Sequence, residues 1–572
     1  MKVVIVGGVA GGASTAARLR RMDEFAEIVL LERGPYVSFA NCGLPYYIGG
    51  VIPNRSSLLV ATPQKLHDSF NVDARVNSEV TQIDRASKTV TVRDLKNGRV
   101  YQEPYDKLVL SPGAAPFVPP IPGRDLPGIF TLRNIPDMDR MMAYLKEARP
   151  RHAVVVGGGF IGIELAENLH HRGLQVTVVE MMDQVLAPLD FEMAAMVHQH
   201  MRYKQVRLAL GDGLQAIELV GENQMSLVLR SGRRAEAGIV IIAIGVRPEY
   251  QLAKDAGLEL GVRGTIAANE HLQTSDPDIY AIGDAAQIMH FLTQEPTNVP
   301  LAGPASKQGR LVADHMAGRD VRYKGAQGTS IVKVFDLTVA TTGMNQRQLE
   351  QAGIAYRSTI VHAANHAGYY PGAAPMAFKL LYSDEGQLYG AQIVGLDGVD
   401  KRIDVIATAL RGGLTVFDLE ELELGYAPPY GSTRDPVNIV GFVAANVLRG
   451  DVATITWDQI AALDRSQNVL LDVRNPPELA GGYIKDAINI PLPQLRQRIG
   501  EIPTGKRLVV YCHVGQRAYY ACRILKQRGF EAVNLSGGYK TYSHAVGQQS
   551  NFDVFAEMSI SNTEEIRAAP PQ

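Results

Sequence analysis

Cys42 is a candidate redox residue because of its surroundings in the sequence. It lies within residues 39–45, shortly after a glycine-rich stretch, and a thiolate there could attack or form a sulfur–sulfur bond. A disulfide needs a second sulfur, but the position five beyond Cys42 is Tyr47, and the other cysteines, Cys512 and Cys522, are far away in sequence. We therefore expect a small-molecule thiol to supply the second sulfur.

Cys512 is a second candidate nucleophile, at the point where a predicted strand meets a predicted helix. The strand over 508–511 ends immediately before it, and a helix over about 518–528 follows. Backbone N–H groups at such a helix N-terminus lower the pKa of a thiol and can hold a persulfide. Arg517 would add positive charge or fix the loop. Cys522 lies mid-helix, where a small buried residue without chemistry is the ordinary interpretation.

Composition bounds the class of protein. At 572 residues the chain has room for three to four domains of about 150 residues each. Its 57 Lys plus Arg balance 59 Asp plus Glu, a net charge of -2, so no basic excess indicates a nucleic-acid or membrane partner. No run approaches about eighteen apolar residues, no export signal is recognisable, and three cysteines cannot build a disulfide scaffold. We expect a cytoplasmic protein, and no metal site is predicted.

A first nucleotide-binding unit is predicted at the start of the sequence. A strand over 3–6, a glycine-rich turn, a helix over 13–22 and a strand over 28–31 form a βαβ pattern. The glycines would let the backbone approach a pyrophosphate, and Glu32 would bind ribose hydroxyls, although Val9 replaces the middle glycine of the usual pattern. The predicted cofactor contacts are Gly7, Gly8, Val9, Ala10, Gly11, Gly12, Glu32 and Arg33.

A second unit carries the complete glycine spacing. It has a strand over 154–156, a glycine turn, a helix through His171 and a strand over 176–179 that ends at Glu180. A carboxylate at that position accepts bonds from the 2′-hydroxyl of NAD and repels the 2′-phosphate of NADP, so NADH is favoured, with NADPH as the alternative. The turn glycines predicted to contact the cofactor are Gly157, Gly159 and Gly162.

Three further segments carry a resemblance to a known family. Residues 107–114 and 241–248 each predict a buried strand that leaves through a Gly/Pro turn, as at the interdomain crossings of a two-dinucleotide flavoprotein. Residues 274–285 resemble the second FAD motif of the pyridine nucleotide–disulfide oxidoreductases, in which a carboxylate bonds the ribityl chain. The resemblance covers residues 1 to about 445 and implies bound FAD. The further cofactor contacts it implies are Gly283, Asp284 and Ala302.

Within that superfamily the sequence resembles the coenzyme A-disulfide reductase branch. The segments 38–42, 301–305, 369–373 and 426–430 all recur there. Reductases of the glutathione reductase type have two cysteines five positions apart, whereas this branch has one cysteine that forms a mixed disulfide with bound coenzyme A. The resemblance implies the same state for Cys42. It places coenzyme A contacts at Ser14, Arg18, Arg21, Ser38 and Asn41.

Two basic residues of the first helix could serve this coenzyme A site. Arg18 and Arg21 are three positions apart, so they share one helix face and could grip a phosphate. An ordinary solvated basic face is the alternative.

Residues 326–448 resemble the dimerisation domain of the family, whose tyrosines reach into the partner's active site. The resemblance implies a homodimer in which Tyr426 and either Tyr369 or Tyr370 donate protons or hydrogen bonds near the attacked sulfur. The sequence does not choose between Tyr369 and Tyr370. For each tyrosine, burial in the dimer core is the alternative.

The C-terminal part resembles a single rhodanese domain over about 455–550. The run 472–474, the loop 512–517 and the turn 537–538 carry this resemblance. It implies persulfide chemistry at Cys512, and an inactive rhodanese-like module is the alternative.

The predicted fold class is α/β, with two dinucleotide-binding (Rossmann-like) domains, an α+β dimerisation domain and a C-terminal rhodanese α/β domain. The predicted boundaries are 1–115 with 270–325 for the FAD-binding domain, 116–269 for the NAD(P)H-binding domain, 326–448 for the dimerisation domain, 455–550 for the rhodanese domain and 551–572 for a polar, mobile tail.

Together these features predict an NADH-dependent flavoprotein that reduces sulfur–sulfur bonds. Electrons would pass from NADH through FAD to Cys42 and coenzyme A, and Cys512 would capture or present persulfide sulfur. Rhodanese-fused members of the branch are associated with persulfide and polysulfide reduction. The expected substrates are therefore CoA persulfide and polysulfide, with sulfide release, and CoA disulfide reduction is a side activity.

Two other functions stay open at this stage. An NADH oxidase or peroxidase could cycle Cys42 through sulfenic acid, but such peroxidases have a histidine in the first glycine loop, where this sequence has Ala10. That function would also leave the rhodanese domain without a purpose. A sulfur carrier or sensor would instead use Cys512 to deliver sulfur to a protein partner, with the flavin domain only resetting it.

Overall fold

The structure is a computed structural model that describes residues 1–549. The tail predicted over 551–572 lies outside the described residues. The chain forms two compact units, one of residues 1–181 with 211–328 and the other of residues 182–210 with 329 onward. Along the described part of the chain, no helix combines the length and the apolar character that crossing a membrane requires.

The helices alternate with strands through most of the chain, as the α/β prediction requires. They are α1 (Ala10–Met22), α2 (Leu44–Ile48), α3 (Pro63–Phe70), α4 (Ile135–Ala148), α5 (Phe160–His171), α6 (Phe191–Tyr203), α7 (Gln251–Asp255), α8 (Ala302–Met316), α9 (Gln346–Gln351), α10 (Val399–Gly412), α11 (Val416–Glu421), α12 (Pro436–Leu448), α13 (Gln516–Gln527) and α14 (Gly538–Gln549).

The strands fall into several sheets, which are described below. They are β1 (Lys2–Val6), β2 (Glu27–Glu32), β3 (Asp73–Val76), β4 (Ser78–Asp84), β5 (Thr89–Asp94), β6 (Val100–Pro104), β7 (Lys107–Leu110), β8 (Ala114–Pro116), β9 (Ile129–Phe130), β10 (His152–Val156), β11 (Gln175–Val179), β12 (Arg207–Ala209), β13 (Leu214–Gly221), β14 (Gln224–Leu229), β15 (Arg234–Ala237), β16 (Ile239–Ile242), β17 (Val246–Pro248), β18 (Ile279–Ala281), β19 (Ile288–Met289), β20 (Pro296–Thr297), β21 (Ser330–Val334), β22 (Leu337–Gly343), β23 (Arg357–Ala364), β24 (Pro375–Tyr382), β25 (Leu388–Gly395), β26 (Ala453–Ile455), β27 (Asn468–Asp472), β28 (Ile488–Asn489), β29 (Arg507–Tyr511) and β30 (Ala532–Leu535).

Two parallel sheets form the centre of the first unit. One has the strand order β18-β7-β1-β2-β3, and the other includes the order β11-β10-β16-β9. Parallel strands are buried on both faces, which explains why β1 and β10 read as continuous β-branched runs rather than as alternating patterns. Each first strand leads directly into a glycine turn and a helix, so both predicted βαβ units are present.

The second unit contains an antiparallel sheet and a separate parallel sheet. The antiparallel order is β21-β22-β25-β24-β23, and helices α10 and α12 share a buried apolar core with it. The parallel order is β26-β30-β29-β27-β28, and β29 delivers Cys512 at its carboxyl end. These layers match the α+β and C-terminal α/β domains expected from the sequence, while the residue boundaries of the four domains stay predictions.

Contacts fix the C-terminal layer to the antiparallel sheet. Ile360 of β23 donates its N–H to Ser536 Oγ at 3.0 Å, and the ring of His362 lies 2.9 Å from Thr541 Oγ1. Trp457, the single tryptophan of the sequence, stacks on Phe191 of α6 with ring centroids 5.8 Å apart. The segment 536–541, which contacts the Cys512 loop, is therefore held by the antiparallel sheet as well as by its own sheet.

A buried charge cluster stabilises the second unit. Lys379 of β24 is fully buried and pairs with Asp190 at 2.7 Å and with Glu192 in the first turn of α6. Burial alone would lower the pKa of Lys379, but these two carboxylates outweigh it and raise the pKa. Gln346 Oε1 accepts a further hydrogen bond from the ammonium at 2.6 Å.

Removing this ammonium is expected to be costly. Because Lys379→Met leaves two buried carboxylates without their cation, we expect a loss of about 3–5 kcal/mol in the free energy of unfolding. Urea denaturation followed by Trp457 fluorescence measures it, since that tryptophan lies in the same unit. Lys485→Met, at an exposed lysine, is the control, and equal stability of the two variants would contradict the prediction.

Candidate functional site

The first glycine loop has the geometry that a dinucleotide needs. Gly7 has φ of +96°, a conformation that favours glycine, and a Cβ at Gly12 would lie only 1.9 Å from the Gly7 carbonyl oxygen. Helix α1 begins at Ala10, three residues earlier than predicted, so its first N–H groups border the loop. Val9 has a φ of −98°, and a side chain is therefore tolerated in place of the middle glycine.

Glu32 ends β2 beside this loop. Its carboxylate accepts the N–H of Gly8 at 2.8 Å and the N–H of Gly34 at 2.7 Å. Each carboxylate oxygen has a second lone pair, so ribose hydroxyls can still donate to it. The neighbouring Arg33 points elsewhere, since its guanidinium pairs with Glu249 at 2.5 Å.

A second part of the same site comes from the segment around Asp284. The Gly283 N–H donates to Gln308 Oε1 of α8 at 2.7 Å, which fixes this turn against the helix. Burial raises the pKa of Asp284, and the positive charge of Arg133 opposes the shift. Helix α8 begins at Ala302, so the cofactor contact predicted there lies at a helix N-terminus. The closely packed glycine loop and these polar groups fit FAD.

The second glycine loop also fits a dinucleotide. Gly157 has φ of +111°, and a Cβ at Gly162 would lie 2.0 Å from the Gly157 carbonyl oxygen. A Cβ at Gly159 would instead meet open space, which is the room that a pyrophosphate needs at the N-terminus of α5. Glu180, directly after β11, accepts the N–H of Gly158 at 2.7 Å. Its carboxylate is thus oriented at the loop.

Cys42 lies in a short 3-10 turn that leads into α2. The residue is exposed, and no disulfide involves it. Its N–H donates to Asn41 Oδ1 at 3.2 Å, which orients this predicted coenzyme A contact. Partial burial of the thiol raises the Cys42 pKa, and the negative charges of Glu164 and Asp284 raise it further.

The structure joins this cysteine segment to the first glycine loop. Ser38, with φ of +46°, donates its N–H to the Gly8 carbonyl oxygen at 2.7 Å. Ser14 of α1 shares a hydrogen bond of 3.0 Å with Ser306 of α8. Both serines are positioned by the same loop and helices that form the FAD-type site.

The two predicted phosphate-binding arginines differ from each other. Arg18 is paired with Asp314, with its Nε 2.7 Å from Oδ1, and Arg21 is exposed. A phosphate at this face would therefore have to compete with a carboxylate for Arg18 but not for the exposed end of Arg21. Contacts of these residues with coenzyme A stay predictions.

The three predicted tyrosines lie on exposed loops of the second unit. The Tyr369 and Tyr426 hydroxyls are 2.8 Å apart, and this hydrogen bond raises the pKa of Tyr369, so its phenol stays protonated at neutral pH. Tyr370 packs edge-on against His366, with ring centroids 5.7 Å apart. The structure thus brings Tyr369 and Tyr426 together and leaves Tyr370 outside the pair.

Cys512 occupies a cradle of backbone groups. It is fully buried, and the N–H of Gly515 points at its Sγ at 3.2 Å. Gly515 has φ of +92°, a turn conformation that a glycine adopts without strain, and α13 begins at the next residue. The N–H of Tyr539 donates to the Cys512 carbonyl oxygen at 2.8 Å, which ties the loop to the start of α14.

Arg517 fixes the end of the Cys512 loop. Its guanidinium makes two hydrogen bonds to Glu478, of 2.7 and 2.6 Å, and Arg517 is the main cause that lowers the pKa of Glu478 to about 2. Arg474 and Asp472 form a second, buried pair at 2.6 Å. Glu478 is the partner that fixes the loop, and it raises the pKa of Arg517, a shift to which Cys512 adds. Cys522 is buried in mid-helix, and burial raises its pKa to about 12.

Sequence reasoning missed several residues at these sites. Glu164 directly follows the second glycine pattern and accepts a hydrogen bond from Tyr46 at 3.1 Å. Its position after Gly162 was a usable signal, whereas its contact with Tyr46 joins segments 118 positions apart. Glu478, the partner of Arg517, lies in no motif that the sequence shows.

Comparison with known proteins agrees with this geometry. The sequence model described as pyridine nucleotide-disulphide oxidoreductase matches residues 1–309, and the model of that family's dimerisation domain matches residues 329–435. The chain belongs to the pyridine nucleotide-disulphide oxidoreductase family. A rhodanese-like domain model matches residues 456–545 of this oxidoreductase. The predicted fold class is confirmed, and family membership implies FAD and a pyridine nucleotide.

Three relatives of this oxidoreductase are informative. A coenzyme A disulfide reductase from Staphylococcus aureus is 36% identical over 445 residues, which are 77% of this chain and 99% of that protein. The reduced CoADR-RHD of Bacillus anthracis is 52% identical with a TM-score of 0.94, covering 96% of this chain and 98% of that one. An NAD-dependent persulfide reductase from A. fulgidus is 37% identical with a TM-score of 0.89, covering 95% and 100%.

Proposed function

We propose that this protein is an NADH-dependent flavoenzyme that reduces the sulfur–sulfur bonds of CoA persulfide, polysulfide and CoA disulfide and releases sulfide. The observation that carries the proposal is the pair of unlike thiols in one chain: exposed Cys42 without a cysteine partner and Cys512 in a backbone cradle. Relatives named as a coenzyme A disulfide reductase and an NAD-dependent persulfide reductase support it.

The first unit holds the groups for electron delivery. FAD, when bound, supplies a carrier for an electron pair between a nicotinamide and the sulfur of Cys42. The first glycine loop, Glu32 and Asp284 would hold it, while the loop at Gly159 and the carboxylate of Glu180 would hold NADH.

Cys42 performs the exchange chemistry. Its thiolate attacks a sulfur of the bound substrate, the sulfur–sulfur bond breaks, and the departing sulfur leaves as a thiolate or sulfide. The group that stays attached forms a disulfide with Cys42. An electron pair breaks that disulfide into the Cys42 thiolate and a second thiolate, which is that of coenzyme A when the substrate is CoA persulfide or CoA disulfide. Because no disulfide joins Cys42 to another cysteine of the described residues, the thiol of coenzyme A takes the part that a resolving cysteine has elsewhere.

Cys512 handles persulfide sulfur. The N–H of Gly515 and the start of α13 favour negative charge on its sulfur, which suits a persulfide anion. Because the C-terminal layer is docked on β23, Cys512 has a fixed place in its unit. We therefore favour a diffusible sulfur carrier over a swinging domain as the link between the two thiols.

We further propose a cytoplasmic homodimer in which the tyrosine pair of one protomer serves the sulfur site of its partner. The free state of the three cysteines fits a reducing compartment. The exposure of Tyr369 and Tyr426 fits a role at a dimer surface, where both would be covered.

Tyr369→Phe and Tyr426→Phe are each expected to lower kcat for CoA disulfide by about tenfold, because each removes one hydroxyl of the pair. Tyr370→Phe is the matched control and should change kcat by less than about twofold. Steady-state NADH oxidation measures all three variants. A larger loss with Tyr370→Phe than with the other two would contradict this assignment.

Glu180→Ala is expected to lower kcat/KM for NADH by about tenfold or more, because the variant lacks the carboxylate that would accept a hydrogen bond from the ribose of NADH. The value for NADPH should stay the same or rise, since the repulsion of a 2′-phosphate is removed. The ratio of the two values measures this. An unchanged ratio would show that Glu180 does not select the nucleotide.

The deciding experiment offers the holoenzyme a panel of acceptors without oxygen. NADH oxidation with release of sulfide from CoA persulfide or polysulfide supports the proposal. NADH oxidation that needs oxygen or peroxide, without sulfide, would instead support an oxidase or peroxidase. Sulfur transfer to a protein without repeated NADH turnover would support a carrier.

A further inference from the structure

Asn534 is a buried polar residue next to the Cys512 loop, which comprises residues 512–517. It is the third residue of β30, and Ala532, two positions earlier, packs against the apolar core that contains Cys512. Side chains two positions apart on a strand face the same side of the sheet. An amide is therefore placed on the side of β30 that packs against apolar residues.

The two ends of this amide differ in their hydrogen bonding. Nδ2 of Asn534 donates to the carbonyl oxygen of Gly515 at 3.1 Å. Oδ1 is buried and has no hydrogen-bond partner among the described residues. A buried oxygen without a donor costs stability, and an apolar side chain of similar size would avoid that cost. Packing alone therefore does not account for an asparagine at this position.

The Gly515 carbonyl oxygen is also the start of α13, because it accepts the N–H of Tyr519 at 3.0 Å. This bond lies within the chain segment of the loop and its helix. The bond from Asn534 comes from a strand that follows the helix, so it attaches the loop to the sheet.

Two backbone donors at the start of α14 act in the same way as Asn534. The Tyr539 N–H donates to the Cys512 carbonyl oxygen at 2.8 Å. The Lys540 N–H donates to the His513 carbonyl oxygen at 2.9 Å. Unlike these backbone groups, the amide of Asn534 can be removed by a substitution.

These bonds determine the direction of the loop N–H groups. No peptide bond of the described residues is cis, and in a trans peptide the C=O and the N–H point in opposite directions. Because the carbonyl groups of residues 512, 513 and 515 are held by β30 and α14, the N–H groups of residues 513, 514 and 516 point the other way. None of these three N–H groups has a protein acceptor in the described part of the chain. They can therefore donate to a bound anion.

We infer that Asn534 is a positioning residue for sulfur transfer at Cys512: its amide holds the Gly515 carbonyl group against β30 and so keeps the loop N–H groups directed at a persulfide anion. The inference rests on the proposed function, because only that function makes Cys512 the atom that receives sulfur. One N–H of the loop, that of Gly515, already points at Cys512 Sγ at 3.2 Å.

Sulfur transfer from thiosulfate to cyanide is the reaction that this orientation serves. The Cys512 thiolate attacks the outer sulfur of thiosulfate, the sulfur–sulfur bond breaks, and sulfite leaves with the electron pair of that bond. Cyanide then attacks the outer sulfur of the persulfide, which leaves as thiocyanate and restores the thiolate. Oriented N–H groups stabilise the negative charge of the persulfide between the two steps.

Asn534→Leu removes the donor and keeps a side chain with the same number of heavy atoms. On the FAD-loaded, full-length enzyme it is expected to lower kcat for this sulfur transfer about tenfold, because the loop N–H groups lose their fixed direction. Reduction of CoA disulfide by NADH should change by less than about twofold. That second activity and the flavin content verify that the variant is folded.

Asn468→Leu is the matched control. Asn468 is the first residue of β27 in the same sheet, at the opposite end from Cys512. Its Nδ2 donates to the Asp464 carbonyl oxygen at 2.9 Å, and its Oδ1 likewise has no partner among residues 1–549. Its replacement should leave kcat for sulfur transfer unchanged within about twofold.

Asn534→Asp separates hydrogen bonding from packing. A carboxylate cannot donate to the Gly515 carbonyl oxygen, whereas a protonated carboxyl group can, and burial favours the protonated form. We expect its sulfur-transfer rate, relative to the wild type at the same pH, to rise severalfold from about pH 8 to about pH 5.5. The relative rate of Asn534→Leu should stay constant over this range, and a residue that only fills space would give no such rise.

Hydrogen exchange tests the attachment of the loop without any sulfur transfer. Peptides that contain residues 513–516 are expected to exchange faster in Asn534→Leu than in Asn468→Leu. If the wild type transfers no sulfur, the proposed function fails, and the exchange rates still decide whether Asn534 orders the loop. Asn534→Asp keeps the test open if Asn534→Leu does not fold. Equal transfer or equal exchange in the two leucine variants, or no rise for Asn534→Asp at low pH, would overturn the inference.

Discussion

Replacing Cys42 by serine is expected to lower NADH-dependent sulfide release by about 10³-fold or more, because a hydroxyl cannot form or resolve a sulfur–sulfur bond. The measurement follows NADH absorbance and sulfide together, without oxygen, on CoA persulfide. The glycine loop and Glu32 are untouched by the substitution, so flavin content should be that of the wild type.

Cys522→Ser is the matched control for this loss. That cysteine is buried in α13, and its pKa is raised to about 12, so it carries no thiolate at neutral pH. Its replacement should leave sulfide release unchanged within about twofold. Full sulfide release by Cys42→Ser would contradict the role assigned to Cys42.

Replacing Cys512 by serine is expected to lower sulfur transfer from thiosulfate to cyanide by about 10³-fold or more, because the backbone cradle that would hold the persulfide loses its sulfur atom. Reduction of CoA disulfide should remain at the wild-type rate, since it needs only the first thiol. The rate of polysulfide reduction is expected to decrease by about tenfold, which is more than the change with CoA disulfide and less than the loss of sulfur transfer.

The losses of Cys512→Ser with CoA disulfide and with polysulfide are compared to separate a specific defect from general damage. Equal losses with CoA disulfide and with polysulfide would mean that Cys512→Ser damages the enzyme as a whole. Unchanged sulfur transfer would mean that a residue other than Cys512 carries the sulfur and that the loop from Cys512 to Gly515 has no part in the transfer.

The sequence predicted the parts of both sites that depend on local backbone geometry. Gly7 and Gly157 are needed because their φ angles are positive, and Gly12 and Gly162 are needed because a Cβ would strike a carbonyl oxygen. These backbone requirements fix the spacing of the glycines, and that spacing is recognisable from the sequence alone. The cradle of Cys512 is local in the same way, because strand, loop and helix are consecutive.

Contacts between distant segments could not be predicted in this way. Arg18 pairs with Asp314, 296 positions away, and this partner bears on the predicted grip of a phosphate. Arg517 pairs with Glu478, and Lys379 pairs with Asp190, across similarly unmarked separations. Only the folded chain shows which charge each of these side chains meets.

The titration of Glu164 is the clearest example of what a sequence lacks. A glutamate after a glycine pattern is an ordinary surface residue until its burial, its hydrogen bond from Tyr46 and the charge of Glu167 are known. The choice between Tyr369 and Tyr370 was open for the same reason. The choice of Tyr369 stays a proposal, and it rests on the position of the Tyr369 hydroxyl next to that of Tyr426.

The most direct test of the account is whether coenzyme A attaches to Cys42 and leaves again with electrons from NADH. The reduced holoenzyme is treated with CoA disulfide, freed of excess reagent, and mapped by non-reducing peptide mass spectrometry before and after one equivalent of NADH. We expect a CoA adduct on the Cys42 peptide that NADH removes with release of free coenzyme A. No adduct on Cys42, or an adduct that NADH leaves in place, would contradict it.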